Sequence, residues 1–308
     1  WNDYKRPAFL QPTDKRFAEI ASLYYKEQEK LFGKANFYSM DPFHEGGNAR
    51  GVDLQAAGKA IMGAMKAVNP KAVWVAQAWG ACPYPDMIRN LKSGDMLVLD
   101  LYSENRPQWG DPESTWYRKD GFNGHDWAYC MLLNFGGNVG LYGKIQHVIE
   151  EYYMARKSKF ASTLKGVGLT MEAIENNPVM YELVSELPWR SSEFSWKEWL
   201  HDYVEARYGN INNDKAQEAW LLLAKSVYGA PAKLTEQGCH ESVLCARPAL
   251  DAYQVSSWSE MEEFYDPDDV IRAARLMVEA SHEVKANTNF RYDLVDITRQ
   301  AIAEQARL

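Results

Sequence analysis

Residues 36 to 169 alternate short apolar segments with amphipathic ones, and this alternation constrains the fold more than any other feature of the 308-residue chain. Strands are predicted at 36–40, 72–78, 95–101, 127–133 and 164–169, and helical patterns lie at 14–32, 54–68, 85–92 and 141–157. Ala72–Ala78 is apolar almost throughout, as in strands buried on both faces of a parallel sheet. The repeat therefore predicts strand–helix units in a parallel sheet.

The character of the sequence changes near residues 188–195. Beyond that point only helical periodicity appears, at 196–208, 212–228, 247–263, 267–287 and 291–308. The sequence therefore predicts an α/β domain over residues 1–192 and an all-α domain over residues 193–308.

Five strands are too few to close an eight-stranded barrel. The chain begins without Met and ends within a helical pattern. We therefore expect the C-terminal part of a (β/α)8 TIM-like barrel, with its N-terminal strands missing, followed by a truncated α-helical domain. An open, doubly wound five-stranded sheet is the alternative.

Composition and cysteine spacing exclude several classes of function. The net charge of −8 argues against a nucleic-acid partner, and no apolar run is long enough to span a membrane. The sequence has no Cys-x-x-Cys and no paired-histidine pattern, so we expect no metal and no cofactor. Cys130 is predicted to be a buried thiol, while Cys239 and Cys245 could form a disulfide in an oxidising compartment.

Glu45 is the first candidate catalytic group. It follows the strand at 36–40 and Pro42, which cannot donate a hydrogen bond to a sheet, and it precedes Gly46 and Gly47. A carboxylate at the C-terminal end of a barrel strand is where such enzymes place their chemistry. A solvated loop glutamate is the alternative.

Glu172 stands in a similar setting after the strand at 164–169, before a helix that begins near Pro178. Glu175 is a rival that more simply caps or lines that helix. Two acids at the ends of two parallel strands can face one sugar, as glycosidases require: one protonates the leaving oxygen, and the other attacks the sugar or activates water.

Further side chains near predicted strand ends are candidates for substrate binding: His44, Trp79, Asp100, Tyr102, Asn134 and Asn138. The structural alternatives are core packing for Trp79, a capping acid for Asp100 and a structural hydrogen bond for His44. The polar, aromatic segment 102–124 carries three more rings, which form either an outer sugar platform or a small loop core: Trp109, Trp116 and Tyr117.

Several motifs occur together in a fixed order: Phe43–Gly47, Gln77–Gly80, Leu97–Glu104, Leu133–Asn138, Gly166–Ile174, Glu186–Trp189, Arg207–Gly209, Ser226–Tyr228 and Phe290–Leu294. This ordered set resembles the α-N-acetylglucosaminidase family, glycoside hydrolase family 89. The resemblance implies a retaining exo-glycosidase that removes terminal α-linked N-acetylglucosamine from glycans, with a barrel and an all-α C-terminal domain.

The resemblance also implies roles for residues. The family's acid/base falls on Glu45 and its nucleophile on Glu172, and the family needs no cofactor. His44 stands where members of the family carry Asn, and the glycines after Glu45 also differ. The implied compartment is periplasmic or secreted for a bacterial protein and lysosomal for an animal one. The alternatives are another two-carboxylate glycosidase or a non-catalytic carbohydrate-binding fragment.

Overall fold

The computed structural model describes residues 10–45, 47–110, 112–133, 140–172, 177–232, 249–250, 264–284 and 286–306. The chain divides into two compact units. The first comprises residues 1–101, 107–129 and 158–166, and the second comprises residues 102–106, 130–157 and 167–308.

In its described residues the first unit alternates α-helices with strands: α1 (Lys15–Phe32), β1 (Phe37–Ser39), α2 (Leu54–Val68), β2 (Val73–Ala78), α3 (Pro85–Ile88) and β3 (Met96–Asp100). The boundary between the units falls within β4 (Asp126–Met131) and within β5 (Leu164–Leu169). All five strands were predicted from the sequence, each within two residues of its observed ends.

The strands form one sheet in the order β1-β2-β3-β4-β5. The pairs β1/β2, β2/β3 and β3/β4 are parallel. A doubly wound sheet reverses its strand order at a switch point, whereas a β/α barrel adds each strand beside the previous one. The sequential order is therefore that of a barrel.

Helix α2 buries the face that its periodicity predicts. Ala57, Ile61, Ala64 and Met65 are all buried. Asp53 begins the helix by accepting a hydrogen bond from the Ala56 backbone N–H.

Helix α1 begins and ends where the sequence predicts, because Asp14 caps its N-terminus and Gly33, at φ +83°, ends it. None of its residues is buried, however. Leu31 and Phe32 are 75% and 82% exposed. The apolar stripe that defines this helix in the sequence is therefore only partly covered: α1 packs against α2, and the ring centroid of Tyr25 lies 5.0 Å from that of Tyr38.

The second unit is mainly helical: α4 (Ile145–Lys157), α5 (Pro178–Glu186), α6 (Trp196–Arg207), α7 (Asp214–Lys225), α8 (Pro267–Val284) and α9 (Thr288–Gln305). Helix α7 packs against α8, and α8 packs against α9. The helix predicted at 247–263 lies largely outside the described residues, as do Cys239 and Cys245. None of the described helices has the length and apolar character needed to cross a bilayer.

Several predicted helix ends were wrong. Helix α3 ends at Ile88 rather than at residue 92, α8 ends at Val284 rather than at residue 287, and α9 begins at Thr288 rather than at residue 291.

Two further ends were wrong for a common reason. Helix α4 begins at Ile145 rather than near residue 141, and α7 ends at Lys225 rather than at residue 228. The intervening residues pair with each other: the Gly143 N–H donates to the Val227 carbonyl and the Ile145 N–H donates to the Tyr228 carbonyl. This long-range pairing replaces the terminal helical turns.

Candidate active site

Glu45 lies on a tight turn six residues after β1 ends. Phe43 and Glu45 have φ values of +67° and +46°, which non-glycine residues adopt rarely. A Cβ atom at Gly47 would lie 2.5 Å from Phe43 Cα, so only glycine fits there. The Glu45 side chain is exposed. Backbone strain of this kind is concentrated at functional sites.

The segment before this turn is attached to β2. Asp41 Oδ1 accepts a hydrogen bond of 2.7 Å from the Gln77 backbone N–H, and Trp74 Nε1 donates to the Met40 carbonyl at 2.7 Å. Burial raises the pKa of Asp41, and the hydrogen bond from Gln77 partly offsets this. These contacts fix the end of β1, where the chain turns towards Glu45.

The imidazole of His44 makes a structural hydrogen bond, which was the alternative to substrate binding considered for this residue. Its Nε2 donates to the Gln77 carbonyl at 2.9 Å. Burial alone would lower the pKa of His44, but the nearby Cys82 thiol and the Gln77 carbonyl outweigh burial and raise it to about 9. Nδ1 makes no hydrogen bond within the described part of the chain, and the Cys82 thiol instead lies 3.8 Å from the Phe43 carbonyl. We therefore attribute the effect of Cys82 to proximity rather than to a formed bond.

Trp79 directly follows β2 and is half-buried. Its ring centroid lies 5.8 Å from that of His44 and 6.5 Å from that of Trp116. The structure thus brings two of the predicted substrate-binding residues, His44 and Trp79, together beside the turn that carries Glu45.

Asp100 ends β3 and is completely buried. Its Oδ2 accepts a hydrogen bond of 3.1 Å from the Gln108 backbone N–H, and Gln108 Nε2 donates to the Gly80 carbonyl at 3.3 Å. This geometry suits an acid that holds the segment 107–124 in place. The sugar-binding role of Asp100 stays a prediction.

Trp109 belongs to the protein interior. It is 5% exposed, and its ring stacks on Trp127 at 5.8 Å and 29°. Trp109 is therefore a packing residue rather than part of an outer sugar platform, and its stacking partner Trp127 belongs to β4 rather than to the loop.

Glu172 lies in the second unit, three residues after β5, and its side chain is exposed. The backbone is fixed on both sides. Thr170 donates to the Met131 carbonyl from its N–H at 3.0 Å and from its hydroxyl at 3.2 Å. Asn177 is buried, and its backbone adopts the left-handed conformation at φ +48°. Its side chain accepts a hydrogen bond from the Tyr142 N–H and donates one to the Gly140 carbonyl. Each unit thus carries one exposed candidate glutamate, Glu45 in the first and Glu172 in the second.

Glu104 was not predicted as a site residue. It is buried, and its Oε1 accepts hydrogen bonds from the backbone N–H groups of Leu132 and Leu133 at 2.9 and 2.8 Å. Burial raises the pKa of Glu104 to about 7, although these N–H groups and the charge of Lys144 oppose the rise. Lys144 in turn donates to Asn105. The end of β4 is therefore held by a buried acid.

The remaining candidates are buried or lie outside the described residues. Tyr102 is 2% exposed, and burial raises the pKa of its phenol. Its substrate-binding role stays a prediction. Asn134, Asn138 and Glu175 lie outside the described residues. Cys130 is a buried free thiol, as predicted. Within the described ranges no group of three or more His, Cys, Asp or Glu residues is arranged to hold a metal ion.

Comparisons with known proteins agree with this architecture. Residues 1–191 match the family described as alpha-N-acetylglucosaminidase (NAGLU) tim-barrel domain, and residues 199–308 match the C-terminal domain of the same family. Human alpha-N-acetylglucosaminidase is 34% identical over 317 residues, which cover 99% of this chain and 40% of the human protein.

Two solved structures of a family 89 glycoside hydrolase from Clostridium perfringens are similar over the whole chain. The complex with PUGNAc has a TM-score of 0.87 at 31% identity, and 34% of that protein is covered. A variant with two glutamates replaced by glutamine, in complex with its substrate GlcNAc-alpha-1,4-galactose, has a TM-score of 0.86 at 30% identity, again with 34% covered.

The chain thus spans about two fifths of the human relative's length and about a third of the bacterial one's. The matches confirm the predicted fold class, in which part of a β/α barrel is followed by an all-α domain. The chain therefore belongs to the α-N-acetylglucosaminidase family, glycoside hydrolase family 89.

Proposed function

We propose that this chain carries the two catalytic carboxylates of a retaining exo-glycosidase that removes terminal α-linked N-acetylglucosamine from glycans. Glu45 is the acid/base and Glu172 is the nucleophile. Both side chains are exposed and each follows a strand of the sheet, Glu45 after β1 and Glu172 after β5, which is where barrel enzymes hold catalytic groups. This placement, within a chain that belongs to family 89, carries the proposal.

The stereochemistry of the substrate supports a protein nucleophile. Some hexosaminidases use the substrate's own acetamido oxygen to attack the anomeric carbon. In an α-linked N-acetylglucosaminide this group lies on the same ring face as the leaving oxygen, so it cannot attack from behind. A carboxylate of the protein must do so, and we assign that role to Glu172.

The reaction then proceeds in two displacements. Glu172 attacks the anomeric carbon while Glu45 gives its proton to the departing oxygen, which leaves a covalent β-glycosyl ester. Water, deprotonated by Glu45, displaces Glu172 and releases the sugar with its α configuration retained. A direct attack of this kind needs the two carboxyl groups about 5–5.5 Å apart.

The named relatives support the substrate class. The human relative is an alpha-N-acetylglucosaminidase, and the bacterial variant that holds GlcNAc-alpha-1,4-galactose has exactly two glutamates replaced. We extend this substrate class to the present chain, with a glycan as its substrate and a periplasmic, secreted or lysosomal compartment as its setting.

Proton NMR of the first-formed product tests this proposal. The protein that carries this chain is mixed with a nitrophenyl α-N-acetylglucosaminide, and the anomeric signal is recorded before mutarotation. The proposal expects α-N-acetylglucosamine. Initial β product would contradict the two-displacement mechanism. Turnover of a different nitrophenyl glycoside in its place would favour another two-carboxylate glycosidase, and binding without turnover would favour a carbohydrate-binding fragment.

A further inference from the structure

The segment 107–124 is fixed by a buried cation. Arg118 is buried, and its guanidinium donates to Gln108 Oε1 at 2.5 Å, to the Pro83 carbonyl at 2.7 Å and to the Ala81 carbonyl at 3.1 Å. Burial lowers the pKa of Arg118 to about 10, which leaves it charged at neutral pH. Because two of its acceptors belong to the turn after β2, Arg118 ties the segment to that turn.

This attachment places Trp116 beside Trp79. The two rings are tilted at 58°, and both are half-buried, so each retains surface that faces solvent. The same segment sends Trp109 into the interior, where it is 5% exposed. The segment therefore contains one tryptophan that packs the core and another that stays accessible.

The position of the accessible pair indicates which part of a glycan it meets. In the proposed mechanism Glu45 protonates the leaving oxygen, so it stands on the leaving-group side of the bond that breaks. The Trp79 ring lies beside His44, the residue before Glu45. The Trp116 ring in turn lies beside Trp79. Apolar faces of sugars pack against aromatic rings, and ligand sites are generally lined in this way.

We propose that Trp116 is a binding platform for the sugar on the leaving-group side, and that Gln108 and Arg118 are the residues that position it. This inference rests on the proposed function. The ligand class is an α-N-acetylglucosaminide whose leaving group is itself a pyranose. A leaving group without a ring gains nothing from Trp116.

The test compares two substrates, GlcNAc-α-1,4-galactose and α-N-acetylglucosaminyl fluoride, in the protein that carries this chain. Trp116→Ala should lower kcat/KM for the disaccharide by about tenfold, which is the scale of one lost ring contact, and leave the fluoride within about twofold. Trp116→Phe should restore much of the loss. Lys119→Ala, an exposed change in the same segment, serves as the control and should alter neither.

Arg118→Lys tests the positioning role. It keeps the charge but cannot reproduce the three directed hydrogen bonds, so it should raise KM for the disaccharide without changing kcat for the fluoride. An equal fall on both substrates for Trp116→Ala, or no fall on either, would overturn the inference.

A binding measurement keeps failure of this inference separate from failure of the proposed function. Saturation-transfer NMR with GlcNAc-α-1,4-galactose should show contact with galactose protons in the wild type and its selective loss in Trp116→Ala. Selective loss without any turnover would support the platform and refute the proposed activity. Galactose signals that are absent in the wild type, or identical in the two proteins, would refute the platform whether or not hydrolysis occurs.

Discussion

Glu104 Oε1 lies 2.8 Å from the backbone nitrogen of Leu133, a residue whose φ is +66°. A leucine with a left-handed backbone conformation is strained, and this conformation persists only where surrounding contacts stabilise it. The buried carboxyl of Glu104 stabilises this conformation, because its Oε1 accepts hydrogen bonds from the N–H groups of both Leu132 and Leu133. If β4 continued, these N–H groups would bond within the sheet instead. This explains why β4 ends at Met131 rather than at the predicted residue 133.

Replacing Glu104 by glutamine should change how stability depends on pH. Burial raises the folded-state pKa of Glu104 from 4.5 to about 7, so the folded protein holds a proton that the unfolded chain has lost. The stability linked to this proton is complete below pH 4.5 and declines as the pH rises to about 7, by up to about 3 kcal/mol. Glu104→Gln keeps the acceptor oxygen but does not titrate, so it should lack this decline.

Urea unfolding at several pH values between 4 and 8 measures this difference. Glu19→Gln, which changes an exposed glutamate on α1, is the control and should follow the wild type. Glu104→Leu removes the acceptor from two buried N–H groups and, compared with Glu104→Gln, which also does not titrate, should cost about 2–4 kcal/mol at every pH. Parallel stability curves for wild type and Glu104→Gln would show that Glu104 is already ionised at pH 5.

Azide rescue should separate the roles of the two glutamates by the configuration of the product. In Glu172→Ala azide occupies the nucleophile's place, so the product should be the β-glycosyl azide. In Glu45→Ala the covalent intermediate still forms from an activated aryl glycoside, and azide then attacks it to give the α-glycosyl azide. NMR of the isolated azides checks both outcomes. The same anomer from both variants would contradict the assignment of Glu172 as the nucleophile and Glu45 as the acid/base.

His44 should titrate well above an ordinary histidine. Its pKa is raised to about 9, so the cation is favoured in the folded state. The stability linked to this proton is complete below pH 6.5 and is lost as the pH rises through 9. Its energy is small because the ring is only half-buried and solvent screens the charge.

NMR titration of the His44 ring signals measures this pKa, and His44→Asn identifies the signals by their loss. A midpoint at or below 6.5 would show that the Cys82 thiol and the Gln77 carbonyl do not outweigh burial.

The sequence predicts the elements of this fold well because their signals are local. The ends of α1 and α2 follow from Asp14, Gly33 and Asp53, whose capping geometry depends only on neighbouring residues. Two of the errors arise where distant residues intervene. The hydrogen bond between Gly143 and Val227 shortens two helices, and neither segment carries a local sequence signal that predicts it.

The candidate site was predictable in part for the same reason. Strand, acid and glycine occur together around Glu45, so its exposed turn can be read from the sequence. Glu104 could not be found in this way, because its partners are backbone N–H groups 28 and 29 residues away, and every residue except proline has such a group. Arg118 was missed similarly, since two of its acceptors are carbonyl groups.

A buried acid in the helical unit should be necessary for stability. Asp293 accepts from Arg207 at 2.6 and 2.8 Å and from the Tyr208 hydroxyl at 2.9 Å, and Trp220 Nε1 donates to that hydroxyl at 2.7 Å. Asp293→Ala leaves the largely buried Arg207 unpaired and should cost about 3–5 kcal/mol. Tyr208→Phe removes only neutral donors and acceptors and should cost about 1–2 kcal/mol.

Thermal or urea unfolding measures both changes. Glu218 on α7 provides the comparison, because its ion pair with Arg272 on α8 lies at the surface with both side chains about half exposed. Glu218→Ala should cost less than about 1 kcal/mol. Equal costs for Asp293→Ala and Glu218→Ala would mean that the Arg207 network adds nothing beyond an ordinary surface ion pair.

Two glycines in helix α2 should respond in opposite directions to the same substitution. A Cβ atom at Gly58 would lie 2.0 Å from the Met87 carbonyl oxygen, which belongs to the backbone of α3 and cannot move without displacing that helix. At Gly63, five residues along the same helix, a Cβ atom would have no neighbour within 4 Å. Gly58→Ala should therefore destabilise the protein by about 1–3 kcal/mol through overpacking. Gly63→Ala should stabilise it by about 0.5–1 kcal/mol, because alanine favours the helix and restricts the unfolded chain. Urea unfolding of the two variants checks the signs, and a stabilising Gly58→Ala would show that α3 does not pack against α2 as closely as the structure indicates.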